Sequence, residues 1–447
     1  MSDTIVAIAT ANGVGSISIV RLSGSDALAI AQKIIKKDSL SVRYAHLCSL
    51  YSSDSNLIDK SIVIYFKAPY SFSGEDIVEF QCHGGHIVAQ QVLEATLYFG
   101  ARLARAGEFS QRAFLNNKMD LTEIEAMAAL IEAKSADAAS VLAKQLRGDL
   151  RHYIESIRDE LITIIAHCEV LIDYAEEDLP PELYDSIIAK LNELAKKLES
   201  TLESSKRRSA MLQGFRVAIV GKPNVGKSSL LNALLDYERA IVSDIAGTTR
   251  DTIEEQVRIG THIIRLVDTA GIRESSDIIE RIGIERSIES IDSSDIVVAL
   301  FDGSREIDSE DSAIIELLKN STKDKSVLVF INKSDLELKI DISQIAEFNP
   351  IKISTKSSID VVSHALEAIM DVENDSDEMM LISLRQIEST KAALLNIKES
   401  LIPLEDGELE LFTYHINEAL KSISSISRVY EIDEMFDKMF GDFCLGK

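Results

Sequence analysis

The chain has 447 residues, 46% of them apolar and 27% charged, with a formal net charge of −26. That length suits about three domains, and the apolar share is enough for several cores. The acidic balance argues against a general affinity for nucleic acid, and the lack of any run of 18 or more apolar residues argues against a membrane span.

The opening residues, MSDTIVAIATANGVGS, hold no basic region followed by an apolar run, so they do not read as a secretory signal. Thr4–Thr10 and Ser16–Arg21 are β-rich runs separated by Asn12-Gly13-Val14-Gly15, a hairpin pattern. Ser61–Phe66 and Asp76–Cys82 read as further strands, and Ile87–Tyr98 as a helix. Residues 1–118 carry 11 Lys+Arg and 10 Asp+Glu, a net of +1, which leaves −27 for the remainder. A polyanion would meet least repulsion here. The cysteines Cys48, Cys82, Cys168 and Cys444 match no zinc spacing and suit a reducing cytoplasm, the expected location.

From Leu121 to Glu177 there is no proline and a single glycine, Gly148, and apolar residues recur at helical spacing, as at Ile154, Ile157, Leu161, Ile164 and Ile165. Pro180-Pro181 ends the run, and Leu183–Leu212 is a second helical stretch. Both read as long helices packed on one another. Residues 215–371 then alternate strand and helix, with strands at Phe215–Val220, Ile263–Val267, Ile296–Phe301, Val327–Ile331 and Ile351–Ile353. Short apolar runs between helices imply a mainly parallel sheet covered on both faces. Helical patterns return at Leu381–Leu401, Glu408–Ser422 and Ile432–Phe440. Helices on both sides of the α/β unit imply one helical domain with the α/β domain inserted, or else two small bundles.

Gly221-Lys222-Pro223-Asn224-Val225-Gly226-Lys227-Ser228 fits G-x-x-x-x-G-K-[ST], directly after a predicted strand and before a predicted helix beginning at Ser229. Backbone N–H groups of such a loop surround phosphates, Lys227 supplies positive charge, and the Ser228 hydroxyl suits Mg²⁺. Asp268-Thr269-Ala270-Gly271 closes the 263–267 strand, where the Asp serves Mg²⁺ and the Gly N–H senses the γ-phosphate. Gly247-Thr248-Thr249 lies between, and a threonine there completes the Mg²⁺ shell. Asn332-Lys333-Ser334-Asp335 ends another strand. The Asp335 carboxylate can accept from both donors on the guanine edge, which adenine lacks. Ser354-Thr355-Lys356 would close over the base. Four motifs in this order resemble translation-factor-class GTPases. Many small GTPases have glutamine after the Asp-x-x-Gly tetrad to orient water; here Ile272 stands there, so another polar group must do so. Arg273, Glu274, Asp277 and Glu280 are the nearby choices.

The whole length resembles the MnmE (TrmE) family of tRNA-modification GTPases. The resemblance rests on TIVAIATANGVGSISIVRLSG at the start, GEDIVEFQCHGG (Gly74–Gly85), RAGEFSQRAFLNNKMDL (Arg105–Leu121) and the terminal Phe443-Cys444-Leu445-Gly446-Lys447. It implies a multidomain α/β plus α fold. An N-terminal α+β folate-binding-like domain that dimerises would take 1–118. A discontinuous helical domain would take 119–212 and 376–447, with an inserted Ras-like P-loop GTPase domain at 213–375. It also implies a homodimer working with the FAD-dependent MnmG on tRNA. That assembly adds an aminomethyl or carboxymethylaminomethyl group to carbon 5 of the wobble uridine, with the one-carbon unit from a 5,10-methylene folate.

The same resemblance places the GTP contacts on Asn224, Val225, Gly226, Lys227, Ser228, Ser229, Ser243, Asp244, Ile245, Ala246, Gly247, Thr248, Thr249, Asp268–Gly271, Asn332, Lys333, Asp335 and Ser354–Lys356. Mg²⁺ would take Ser228 and Thr249; potassium would take Asn224, Ser243, Ile245 and Thr248, supplying the positive clamp that an arginine finger supplies elsewhere. Glu280 would orient the attacking water, filling the gap left by Ile272. Folate contacts fall on Arg21, Glu79, Lys118 and Lys447, with a carboxylate for the pterin N–H edge and basic groups for the glutamate tail. His83, beside Gly84-Gly85, has no partner legible in the sequence. A ribosome-assembly or signalling switch, and a scaffold whose GTP site only regulates dimerisation, are the competing readings.

Overall fold

The computed structural model describes residues 3–11, 13–133, 135–173, 181–237, 255–267, 290–321, 325–356, 359–374 and 379–428. These fall into two compact units: 1–128 with 145–191 and the residues from 388 onward, and 129–144 with 192–387.

The first unit begins with the expected hairpin. β1 (Ile5–Ile8) pairs antiparallel with β2 (Ile17–Ser23). Helix α1 (Ala27–Ile35), β3 (His46–Tyr51), β4 (Leu57–Phe66), β5 (Ile77–His83), α2 (His86–Tyr98), the short β6 (Arg102–Leu103) and α3 (Glu108–Leu115) follow. The six strands form one sheet in the order β3-β4-β5-β2-β1-β6. Period-2 alternation divides its faces. Val20, Leu22, Val78 and Phe80 bury one side against α1 and α2, while Ile5, Ala7 and Phe109 make a smaller cluster on the other.

Three helices, not one long one, occupy the stretch expected at 121–177: α4 (Leu121–Glu132), α5 (Ala136–Leu146) and α6 (Asp149–Asp173). Ser135 starts the second by accepting from the Ala138 N–H at 3.1 Å. Gly148, at φ 96°, separates the second from the third. Within the first unit, α6 packs on α12 (Leu409–Ser427), where the Cys168 thiol lies 3.2 Å from the Thr413 hydroxyl. The stretch read as a second long helix is α7 (Pro181–Gln213). Pro181 occupies a first helical turn, where its missing N–H costs nothing.

The second unit holds a six-stranded sheet: β7 (Phe215–Val220), β8 (Glu255–Ile259), β9 (His262–Val267), β10 (Ile296–Asp302), β11 (Ser326–Asn332) and β12 (Ile351–Lys352), in the order β12-β11-β10-β7-β9-β8. All neighbours are parallel except β8, which forms a hairpin with β9. Phe215, Val217, Leu266, Val298 and Phe330 face one core, Val297, Phe301, Val329 and Ile331 the other, so the inner strands are apolar on both sides as expected. Helices α8 (Lys227–Tyr237), α9 (Ser309–Ser321) and α10 (Ile359–Asn374) connect or flank these strands; α11 (Leu384–Glu405) runs on from this unit into the first. No helix among the described residues is long and apolar enough to cross a membrane.

Candidate functional site

β7 ends at Val220, and α8 starts at Lys227, so residues 221–226 form the turn between a central parallel strand and the helix it feeds. Such crevices at the carboxyl ends of parallel strands are where α/β sheets bind ligands. Two glycines make the turn. Gly221 has φ 150°, and a Cβ there would lie 2.6 Å from the Leu300 carbonyl oxygen; Gly226 has φ 109°, and a Cβ there would meet Asn332 Nδ2 at 2.2 Å. Asn224 sits between them in the left-handed region at φ 63°. The result is a backbone cradle of phosphate-loop form.

Within the cradle the Lys227 ammonium donates to the Gly221 and Lys222 carbonyls at 2.6 and 2.8 Å. Burial pushes its pKa down from the ordinary lysine value. Ser228 and Ser229 follow on the first turn of the helix, both exposed. A serine hydroxyl at this point fits a hard cation bound beside phosphates.

The base-recognition residues converge on the same cradle. The Asn332 side chain donates to the Val225 carbonyl at 2.7 Å and accepts from the Thr355 N–H at 3.0 Å, so one amide joins the phosphate loop to the 354–356 turn. Ser354 donates to Asp335 Oδ1 at 3.0 Å, and Lys356 Nζ lies 3.8 Å from Asp335 Oδ2. Asp335 stays exposed. Lys333 pairs at 2.6 Å with Asp302, at the end of β10. Burial pushes Asp302 upward, but the hydrogen bonds from Lys333 and Ser304 outweigh it and hold its pKa at about 2.

Sequence reasoning missed Asp302. It also missed a second ion cluster, in which buried Lys222 binds Asp308 and, at 3.0 Å, Asp311. The signal was present: Asp308 and Asp311 have the spacing of a capping box. Asp308 Oδ1 accepts from the Glu310 and Asp311 N–H groups at 3.0 and 3.2 Å.

Ser243, Asp244, Ile245, Ala246, Gly247, Thr248, Thr249, Asp268, Thr269, Ala270, Gly271 and Glu280 lie outside the described residues, as do Lys447 and Cys444. Of the expected potassium ligands, Asn224 alone is described.

The second candidate site is in the first unit. Arg21 on β2 and Glu79 on β5 are opposite one another in register, and Arg21 Nε donates to Glu79 Oε1 at 2.8 Å. The guanidinium also lies 5.5 Å from the Phe72 ring centroid and 5.7 Å from that of Phe109. Lys118 is 6.0 Å from the centre of the Tyr70 ring. Its neighbour Asn116 donates to the Ser73 carbonyl at 2.7 Å. One loop, residues 70–75, therefore meets Arg21 through Phe72 and Lys118 through Tyr70. A half-buried carboxylate, a guanidinium and aromatic rings on one sheet face fit a flat heterocycle with N–H donors.

Beneath this loop lies a network. Arg112 donates to Glu75 at 2.9 Å and to Glu108 at 3.1 Å, and Arg102 binds Glu108 as well. Burial pushes Glu108 up, yet the two guanidiniums and the Arg105 N–H hold it at about 2. His83, left without a partner by the sequence, has one: its Nδ1 lies 2.7 Å from Asp59 Oδ1. Cys82 is buried, and desolvation with the nearby Asp59 charge pushes its thiol up to about 11, the reverse of a reactive thiolate.

Comparison with known proteins covers the whole chain. Residues 4–118 match the family model described as the GTP-binding protein TrmE N-terminus, and residues 121–444 match that of the MnmE helical domain. A protein of a Sulfurovum species named tRNA modification GTPase MnmE is 58% identical over 447 residues, spanning 100% of this chain and 99% of that relative. The same name belongs to a Sulfurimonas denitrificans protein, 61% identical over 445 residues, and to one from Aliarcobacter butzleri, 55% identical over 446. Each alignment spans 100% of this chain and 99% of the relative.

Proposed function

The chain belongs to the tRNA modification GTPase MnmE family, and from that premise we propose that it acts with the FAD-dependent MnmG on the tRNA wobble uridine, adding an aminomethyl or carboxymethylaminomethyl group at carbon 5. It is a GTP hydrolase acting in tRNA modification and takes its nucleotide with Mg²⁺. The observation that supports this best is the Asn332 amide, bonded at once to the phosphate loop and to the turn that would cover guanine. That arrangement suits one guanine nucleotide spanning both motifs.

In this reading Lys227 and the loop N–H groups bind the phosphates, and Asp335 selects guanine. Ser228 and Thr249 would hold Mg²⁺. Asn224, with Ser243, Ile245 and Thr248, would hold potassium, which adds positive charge against the phosphates. Glu280 orients the attacking water, and hydrolysis drives rearrangement of the GTPase domains. Residues 1–118 form the folate-binding and dimerising domain, with Arg21, Glu79, Lys118 and Lys447 toward the folate that supplies the one-carbon unit. The helical domain is 119–212 with 376–447, and the inserted GTPase domain is 213–375. The assembly is a homodimer joined by MnmG, in the cytoplasm. The acidic charge of this chain suits a division in which MnmG supplies much of the basic tRNA surface.

GTP turnover by the full chain in potassium against sodium tests the potassium assignment. Turnover should be faster in potassium by at least about tenfold. Equal rates in both salts would remove Asn224 and its companions from the account.

A further inference from the structure

We infer that Lys222 is a positioning residue for the phosphate loop: its buried ammonium, clamped by Asp308 and Asp311 at the start of α9, fixes the peptide units that hold Lys227. Lys222 is 7% exposed, whereas its neighbours Pro223 and Asn224 are exposed. Its side chain therefore turns inward, away from the solvent side of a loop whose other lysine serves the phosphates. The acceptors are held by the helix cap as well as by the lysine. Asp308 caps the helix with Oδ1 and gives Oδ2 to Lys222, while Asp311, 10% exposed, gives Oδ2 both to Lys222 at 3.0 Å and to the Asp308 N–H at 3.3 Å.

Lys222 and Gly221 are also the residues whose carbonyls receive Lys227 Nζ. Displacing the Lys222 side chain thus displaces the peptides that place the phosphate-binding ammonium. Breaking the clamp is costly on its buried side, between Lys222 and Asp311, since the survivor there stays charged and unpaired, whereas Asp308 is exposed to water. The clamp ties phosphate binding to the loop after β10, a segment outside all four nucleotide motifs.

The inference rests on residues 221–228 forming the GTP phosphate site, so the readout is GDP affinity of the full chain, measured by calorimetry beside nucleotide-free thermal unfolding. Lys222→Met should weaken GDP binding roughly tenfold, and Lys222→Arg should recover most of that loss. Asp311→Asn should weaken binding too, and the double variant should lose less than the two single losses combined. Affinity for Lys222→Met within about twofold of wild type would overturn the inference. Equal losses for Lys222→Met and Lys222→Arg, with Asp311→Asn indifferent, would also overturn it, leaving a packing role. Wild-type protein that failed to bind GDP would overturn the phosphate-site reading itself, and the inference with it.

Discussion

The phosphate cradle and the Arg21 site are built in opposite ways. The cradle is one continuous stretch, 221–228, in which backbone shape does the work and two glycines permit it. The Arg21 site is drawn from β2, β5, the 70–75 loop and the end of α3, and side-chain charge holds it together, with Arg21 on Glu79 and an Arg102–Glu108–Arg112 network beneath, in which Glu108 and Arg112 are buried. A backbone site is disabled by adding atoms, because the new atoms strain φ and displace fixed groups. A side-chain site is disabled by unbalancing charge, because the remaining partner stays buried.

The largest effect expected from that contrast is in the cradle. Gly226→Ala places a methyl where Asn332 Nδ2 now bonds Val225, at a φ that L residues rarely adopt. Strain and the lost hydrogen bond together come to about 3 kcal/mol, which the free loop relieves by leaving this shape, so restoring the shape for GDP weakens binding by up to roughly a hundredfold. Calorimetry reads it directly, and affinity within threefold of wild type would mean that the loop shape matters less than the contrast requires.

Next is Glu108→Gln, which leaves Arg102 and Arg112 short of a carboxylate. The Glu108 pKa falls from 4.5 to about 2 on folding, worth about 3 kcal/mol at neutral pH. Urea unfolding at pH 7 should show a loss of that order for the transition that reports on the first unit. The cradle itself should keep its GDP affinity.

Acid sharpens the same contrast by a smaller amount per pH unit. A carboxylate with a depressed folded pKa stabilises fully above its unfolded value and loses that contribution as pH falls through the folded one. The window for Glu108 is therefore from about pH 4.5 down to about 2, with a slope approaching about 1.4 kcal/mol per pH unit. Glu108→Gln should remove that slope from the unfolding curve, whereas Asp302→Asn, in the other unit, should leave the Glu108 contribution in place.

The smallest effect belongs to the edge of the Arg21 site, at Lys118. Lys118→Ala should change stability by less than about 0.5 kcal/mol, since its ring contact is peripheral. It should weaken binding of a reduced folate several-fold in equilibrium dialysis. Unchanged folate affinity would remove Lys118 from the site.

The same contrast explains what the sequence reveals. β7 is legible to the residue at 215–220, because Val217-Ala218-Ile219-Val220 is a continuous apolar run of the kind an inner parallel strand needs, with Phe215 before it and Arg216 alone interrupting. β8 is not, since Glu255-Gln256-Val257-Arg258-Ile259 alternates as an edge strand does and carries little apolar signal. The nucleotide motifs are legible because backbone geometry constrains neighbours in sequence. Arg21 and Glu79 are 58 residues apart, and no spacing rule pairs them; only resemblance pointed there, and cross-strand register explains the contact. Lys222 and Asp302 are hidden for the same reason, because charge partners from separate loops leave no periodic trace; the capping-box spacing of Asp308 and Asp311 marks a helix start but does not point to Lys222. The Ser135 cap and the left-handed Gly148 break a stretch that hydrophobic spacing alone runs together.

A role in wobble-uridine modification is tested most directly by mass spectrometry of wobble nucleosides in tRNA from cells with and without this protein. Loss of the carbon-5 aminomethyl-type groups is expected without it, restored by the wild-type chain but not by Glu280→Ala. Unchanged nucleosides, in cells with no second route to the modification, would contradict it and favour a ribosome-assembly switch.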